Sequence, residues 1–257
     1  MEGSGGTLRR IMARILVPLP DNDFDVTEVS VPWRLLTRAG HTVTFSTEGA
    51  RTPRGDPLLL TGVVLGQLGA EAEAKAYYRE MERAPEFLSP VRYRDIDADA
   101  YDALLLAGGH APGMRQYLGS TELQEKVCHF WRSGKPVAAI CHGVLLLARA
   151  MDPDTSKSCL ASYRTTCLPK YMERTAYMAT FWKVGRYYRT YPAYVEDEVR
   201  ASLDRPEEQF VRGPVSLFSK GVEHDDKAAF VVEDGKYVSG RWPGDAYLLA
   251  KRLMARL

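Results

Sequence analysis

Val137-Ala138-Ala139-Ile140-Cys141-His142-Gly143-Val144-Leu145-Leu146-Leu147-Ala148 decides how this chain is read. A short apolar run ends at Cys141. After His142 and Gly143 a helix-forming apolar stretch begins. The pattern predicts a strand, a sharp turn at the cysteine, and a helix. A nucleophile on such an elbow sits at the carboxyl end of a sheet strand, where it is expected to be exposed. It also sits at the positive end of the following helix, which favours thiolate over thiol. The alternative is a packed structural cysteine, since free cysteines are among the most buried residues.

Outward from the elbow, the apolar runs alternate between strand and helix periods. Residues 14–19 (RILVPL) read as a first buried strand before a polar turn at 20–25. Val29, Trp33, Leu35 and Leu36 recur at helical spacing, and Gly40 stops that helix. Residues 42–46 (TVTFS) are a second strand, giving the β-α-β opening of a parallel sheet. Residues 101–107 (YDALLLA) are the next strand, followed by Gly108-Gly109-His110. A helix is predicted over 121–131 with Thr121 as its cap, and the strand that delivers Cys141 over 135–140. Residues 143–150 form the helix after it, and 196–203 a further short one. Residues 230–232 and 237–239 flank Glu233-Asp234-Gly235-Lys236, a hairpin signal. An amphipathic helix closes the chain over 244–257.

Two stretches interrupt this order. Residues 50–99 contain a Pro- and Gly-marked loop and a helix at 71–83, and residues 155–220 contain an aromatic-rich segment at 171–194. Both are expected as insertions that form a small cap on a single domain spanning 13–257. The first twelve residues, Gly/Ser-rich and then basic, are expected as a flexible leader.

Composition bounds the function. With 45% hydrophobic and 26% charged residues the chain is an ordinary globular protein. A net charge of +1 shows no electrostatic footprint for nucleic acid or an anionic membrane. The most apolar stretch, 58–70, is broken by Thr61, Gly62, Gly66 and Gly69 and is too short to span a membrane. A soluble, cytoplasmic protein is expected. Cys128, Cys141, Cys159 and Cys167 lack CxxC spacing. Cys159 and Cys167 could pair in principle, but reduced thiols are the expectation without a secretory signal.

Three pieces stand in one order: Asp23-Phe24-Asp25-Val26-Thr27-Glu28 with Arg38-Ala39-Gly40-His41 behind it, then Tyr101 to His110, then Ala139-Ile140-Cys141-His142-Gly143. In this combination the chain resembles the ThiJ/PfpI superfamily, in its larger branch of glyoxalase III enzymes and chaperone relatives. The resemblance implies a flavodoxin-like three-layer α/β/α sandwich with a mostly parallel sheet and a nucleophile elbow, as in class I glutamine amidotransferases. It covers residues 13–150; residues 151–220 match the superfamily pattern poorly. Smaller members place a histidine roughly twenty residues past the nucleophile. Residues 162–166 here read SYRTT, which disfavours the chemistry of that branch.

The resemblance assigns roles. Cys141 is the nucleophile. Glu28 reaches across the crevice, donates to the thiolate and shuttles a proton. It could instead be only an acidic first-turn residue satisfying the helix dipole. Gly109 and His142 supply backbone N–H groups to an oxyanion hole, with Gly108 beside them. His142 is a base or an ion-pair partner of the thiolate. In the glyoxalase III branch a carboxylate roughly thirty residues downstream orients this histidine, and Glu173 lies at that separation. A solvated helix glutamate is the equal alternative. His110 lines the pocket mouth or is structural. Asp21, Asp23 and Asp25 are expected to solvate a loop, and His224-Asp225-Asp226 to be a loop and not a metal cluster. The aromatic stretch forms a wall over the pocket or a dimer surface.

The implied activity is cofactor-independent conversion of methylglyoxal to lactate, with no metal and no glutathione. Alternatives on the same site are an amidase or isonitrile-hydratase type of hydrolysis, and a redox-sensing or chaperone protein without turnover. A small-molecule substrate and a homodimer are expected, with no nucleic-acid or membrane partner.

Overall fold

In the computed structural model, residues 12–62, 68–216 and 219–257 are described. The expected leader lies outside them, except for the exposed Met12. Seven strands form one sheet: β1 (Arg14–Pro18), β2 (Thr42–Thr47), β3 (Val91–Arg92), β4 (Ala103–Leu106), β5 (Val137–Ile140), β6 (Val231–Asp234) and β7 (Tyr237–Gly240). Their order is β6-β7-β5-β4-β1-β2-β3. Every pairing is parallel except the β6–β7 hairpin. This is the mostly parallel sheet that the alternating pattern predicts, in the flavodoxin-like form that the family resemblance implies.

β4 and β5 are buried at every position. They read as unbroken apolar runs because helices cover both faces of a parallel sheet. The main helices are α1 (Val26–Arg38), α2 (Ala72–Met81), α3 (Thr121–Arg132), α4 (Val144–Arg149), α5 (Lys170–Val184), α6 (Val195–Ala201) and α7 (Ala246–Met254). α1 packs against α2 and α7; α4 packs against α3 and α6. Among the described residues, no helix is long and apolar enough to cross a membrane.

The structure corrects several boundaries. The stretch at 50–99 is not only a cap. Arg54–Gly55 pairs with Asn22–Phe24, and Val91–Arg92 adds the edge strand beside β2. α3 is capped by Ser120, whose hydroxyl accepts from Leu123 N–H at 3.1 Å, and not by Thr121. Asp25 is no solvated loop acid either. It is 2% exposed and caps α1, accepting from the N–H groups of Thr27 (2.8 Å) and Glu28 (3.0 Å). All four cysteines are free and buried.

β1 and β4 are neighbours whose following helices lie on opposite sides, so the strand order reverses between them. Ligands of open α/β sheets bind at the carboxyl ends of strands at such a switch point. The first turn of α1 and the segments that follow β4 and β5 meet there, and they carry Glu28, Gly108 and Cys141.

Candidate active site

Cys141 follows the last residue of β5 directly and adopts φ +57°. A non-glycine residue in the left-handed region costs about 1–3 kcal/mol and persists only where its surroundings enforce it. Gly143 is part of that enforcement. A Cβ there would lie 2.2 Å from the Leu106 carbonyl oxygen and 2.7 Å from that of Ala107. The elbow is pressed onto the end of β4, and only glycine fits the contact.

Gly108 does the corresponding work on the other strand. A Cβ on it would lie 2.7 Å from His142 N, 2.9 Å from Glu28 Oε2 and 3.0 Å from Cys141 Cβ. The missing side chain lets the acid and the cysteine converge. Gly108 N–H donates to Glu28 Oε2 at 2.7 Å, and its carbonyl accepts from Asp25 N–H at 2.8 Å. The N–H of Gly108 therefore positions Glu28.

Glu28 is completely buried, and its second oxygen, Oε1, has no hydrogen-bond partner. Burial raises this carboxyl well above the usual range, and the neighbouring Asp25 adds to the rise. The group is a neutral acid with Oε2 accepting, so its proton belongs on Oε1. His142 is 3% exposed, with Nδ1 3.4 Å from Cys141 Sγ. Burial holds His142 well below its usual value, with His110 and Arg149 acting in the same direction; burial alone brings His110 down to about 4.

One expectation is overturned here. Cys141 has no exposed surface, and burial pushes its thiol well above the ordinary range. A helix dipole contributes typically 0.3–1 kcal/mol, and less when the helix starts a turn away. α4 starts at Val144, after a 3-10 turn over 141–143. Taking a charge out of water costs far more than that. The resting sulfur is a neutral thiol.

The covering layer comes from the aromatic segment. The His110 and His142 rings meet edge to face at 5.0 Å. Tyr188 lies 4.9 Å from His110, Tyr187 lies 4.7 Å from Tyr188, and Tyr191 lies 6.3 Å from His142. The segment is fastened at three points. The Tyr187 hydroxyl bonds the Asp56 carboxylate, the Thr190 hydroxyl bonds the His110 carbonyl, and Arg115 donates to the Thr190 carbonyl at 2.7 Å. Tyr191 lies under the Arg149 guanidinium, which is held by Glu198 at 2.6 and 2.9 Å. The same segment also has an outer side, where Phe181 and Trp182 are exposed.

Glu173 does not orient His142. It accepts from Val195 N–H at 3.1 Å and faces Arg189 at 3.6 Å, so it joins α5 to the start of α6. Burial lifts it to about 7. His224 is exposed, and Asp226 pairs with Lys251 at 2.8 Å. Thr190 and Asp56 were not singled out from sequence; Tyr187 was read only as one of an aromatic stretch and Asp25 only as loop solvation. The spacing of Asp25 to Glu28 follows the N-cap signature of a polar residue with an acid three positions on, and could have placed Asp25.

A family model described as ThiJ/PfpI family-like matches residues 19–214. An uncharacterized protein of Schizosaccharomyces pombe is 29% identical over 98% of this chain and 86% of its own length. A deglycase of Pyrococcus abyssi is 25% identical, covering 91% of this chain and 93% of that protein. Among solved structures, glyoxalase III from Candida albicans shares the fold with a TM-score of 0.69 at 18% identity, over 96% of this chain and 98% of that one.

Proposed function

Because the chain belongs to the ThiJ/PfpI superfamily, we propose that it is a cysteine-dependent enzyme acting on small reactive carbonyl compounds, with methylglyoxal as the model substrate and lactate as product. The observation that carries this reading is the convergence on the strained Cys141 of two proton-handling groups, His142 at 3.4 Å and Glu28 held by Gly108. The named deglycase relative, which matches nearly the whole chain, supports carbonyl chemistry over amide hydrolysis. A buried neutral thiol is also a poor target for peroxide, which speaks against a redox sensor.

Each step follows from the groups present. Sγ bonds to the aldehyde carbon as the thiol proton passes to His142 Nδ1. The former carbonyl oxygen takes the proton of Glu28 Oε1, giving a hemithioacetal. Glu28, now a carboxylate, removes the hydrogen from that carbon. The proton on His142 passes to the neighbouring carbonyl oxygen, giving an enediol. Glu28 returns its proton to the adjacent carbon while the first hydroxyl gives its proton to His142, which leaves a thioester of lactate, and the proton on His142 goes back to Glu28. Water cleaves the thioester and restores the thiol. The backbone N–H groups of Gly109 and His142 face the oxyanion that hydrolysis develops, a contribution typically of about 3 kcal/mol per donor. Substrate reaches the sulfur only when the segment at 187–191 lifts.

The test is methylglyoxal consumption with lactate measured as product. Wild type is expected to turn over, and Cys141→Ala and Glu28→Gln to fall to the uncatalysed background while remaining folded. Equal consumption by wild type and Cys141→Ala sinks the proposal.

A further inference from the structure

We propose that His110, Cys141 and His142 form a three-donor site for one zinc-type divalent cation, so that the nucleophile can be held in a metal-blocked form. One ligand atom from each of the three residues lies within 4.8 Å of the others. Among the described residues, this is the one group of three or more histidine, cysteine or acidic side chains so placed.

The donor set is chemically apt. Tetrahedral zinc takes sulfur at about 2.3 Å and imidazole nitrogen at about 2.0–2.1 Å, which sets those two donors about 3.5 Å apart. Cys141 Sγ and His142 Nδ1 are 3.4 Å apart. His110 brings a ring nitrogen within 4.8 Å of both. Its Nδ1 is buried without a hydrogen-bond partner. That orphaned atom is unexplained by the enzyme reading, and a metal ligand needs its free lone pair. Three protein donors leave a fourth position open, the pattern of exchangeable zinc sites and not of closed structural ones. The edge-to-face contact with Tyr188 and the bond from Thr190 to the His110 carbonyl fix the ring's backbone and face.

Binding exchanges the thiol proton for the metal. A cation and Cys141–SH give a metal–thiolate and one proton released to solvent. The sulfur lone pair then no longer reaches a carbonyl, so the cation is an inhibitor. That consequence rests on the reading of Cys141 as nucleophile; the site itself does not.

Cobalt(II) is the probe, added to chelator-treated full-length protein under anaerobic conditions. One equivalent per chain is expected, with a near-ultraviolet thiolate-to-cobalt charge-transfer band and one proton released. Cys141→Ser is expected to abolish the band. His110→Phe keeps an aromatic ring against Tyr187 and Tyr188, and is expected to weaken binding more than about 10-fold. Cys128→Ser, away from the site, is expected to bind like wild type. No charge-transfer band in wild type, a band that survives Cys141→Ser, or unchanged affinity in His110→Phe overturns the site. Methylglyoxal turnover by metal-free protein is measured separately. Turnover without cobalt binding overturns the metal site alone, and cobalt binding without turnover overturns the enzyme reading alone.

Discussion

A single methyl group separates two outcomes at this site. A Cβ on Gly108 would meet the backbone nitrogen of His142 at 2.7 Å, Glu28 Oε2 at 2.9 Å and Cys141 Cβ at 3.0 Å; the carboxyl oxygen ends a side chain that can shift, and the backbone contact is half an ångström looser than the one at Gly143. Gly108→Ala is expected to fold, with a loss of about 1–3 kcal/mol from crowding, and to lose methylglyoxal turnover because Glu28 is displaced. At Gly143 the obstacle is the backbone carbonyl of Leu106, at 2.2 Å, which cannot step aside. Gly143→Ala is expected to lower Tm further than Gly108→Ala, and paired thermal melts and turnover assays separate the two. A Gly143→Ala protein as stable as wild type would refute the close approach. Glu28→Gln gives the complementary case. Glutamine matches the neutral acid in shape, and its carbonyl oxygen still accepts from Gly108 N–H. Stability is expected to stay within about 0.5 kcal/mol of wild type while turnover disappears. Tm is the check, and a fall of many degrees would mean that Glu28 is ionised in the folded protein.

The segment from Tyr187 to Tyr191 acts on the site as an element. It packs against His110 and His142 and is held by bonds to Asp56, to the His110 carbonyl and from Arg115. Tyr187→Phe removes the bond to Asp56 at a cost of about 1–2 kcal/mol, and that cost falls on the closed state. Alkylation of Cys141 by iodoacetamide, mapped by mass spectrometry, is expected to accelerate severalfold in Tyr187→Phe. Labelling of the buried Cys167 in the same sample is expected to stay at the wild-type rate. A parallel rise at both cysteines would indicate general loosening and remove the role of the latch. Elements of this kind were the hard part to read from sequence. β1, β2, β4, β5 and the β6–β7 hairpin were legible because apolar runs bounded by turn residues leave little choice of structure. The edge strand β3 was not, since two residues, half-buried Val91 and exposed Arg92, carry no periodicity. The aromatic segment was visible as composition. Which of its rings face the sulfur depends on long-range bonds to residues 56, 110 and 115, and no local pattern encodes those.

At the scale of the molecule, the site residues were readable and their charge states were not. Three motifs in one order located Cys141, Glu28 and Gly108, because a switch point in a parallel sheet brings those loops together whatever covers them. The thiolate expected at position 141 failed because burial is set by the whole fold and outweighs a local dipole. The same burial acts on the carboxyls. Asp25 is raised to about 6 and Glu173 to about 7, in both cases chiefly by burial. The sign follows from proton counts. Between its ordinary value of 4.5 and about 7, folded Glu173 keeps a proton that the unfolded chain has lost. The folded state binds more protons in that window, so its stability falls as pH rises through it and stays lower above. A shift of that size corresponds to on the order of 3 kcal/mol. Asp25 acts the same way between 3.8 and about 6. Below pH 6.5 the buried His110 and His142, both held below their usual value, act in the opposite direction, so the carboxyl effect is read above that pH: thermal melts are expected to give a higher Tm at pH 6.5 than at pH 8. Glu173→Gln retains a carbonyl acceptor for Val195 N–H and has nothing to ionise. It is expected to flatten this part of the profile, raising Tm at pH 8. A wild-type Tm that climbs from pH 6.5 to pH 8, or a Glu173→Gln profile parallel to that of wild type, would show that Arg189 at 3.6 Å keeps Glu173 ionised despite its burial.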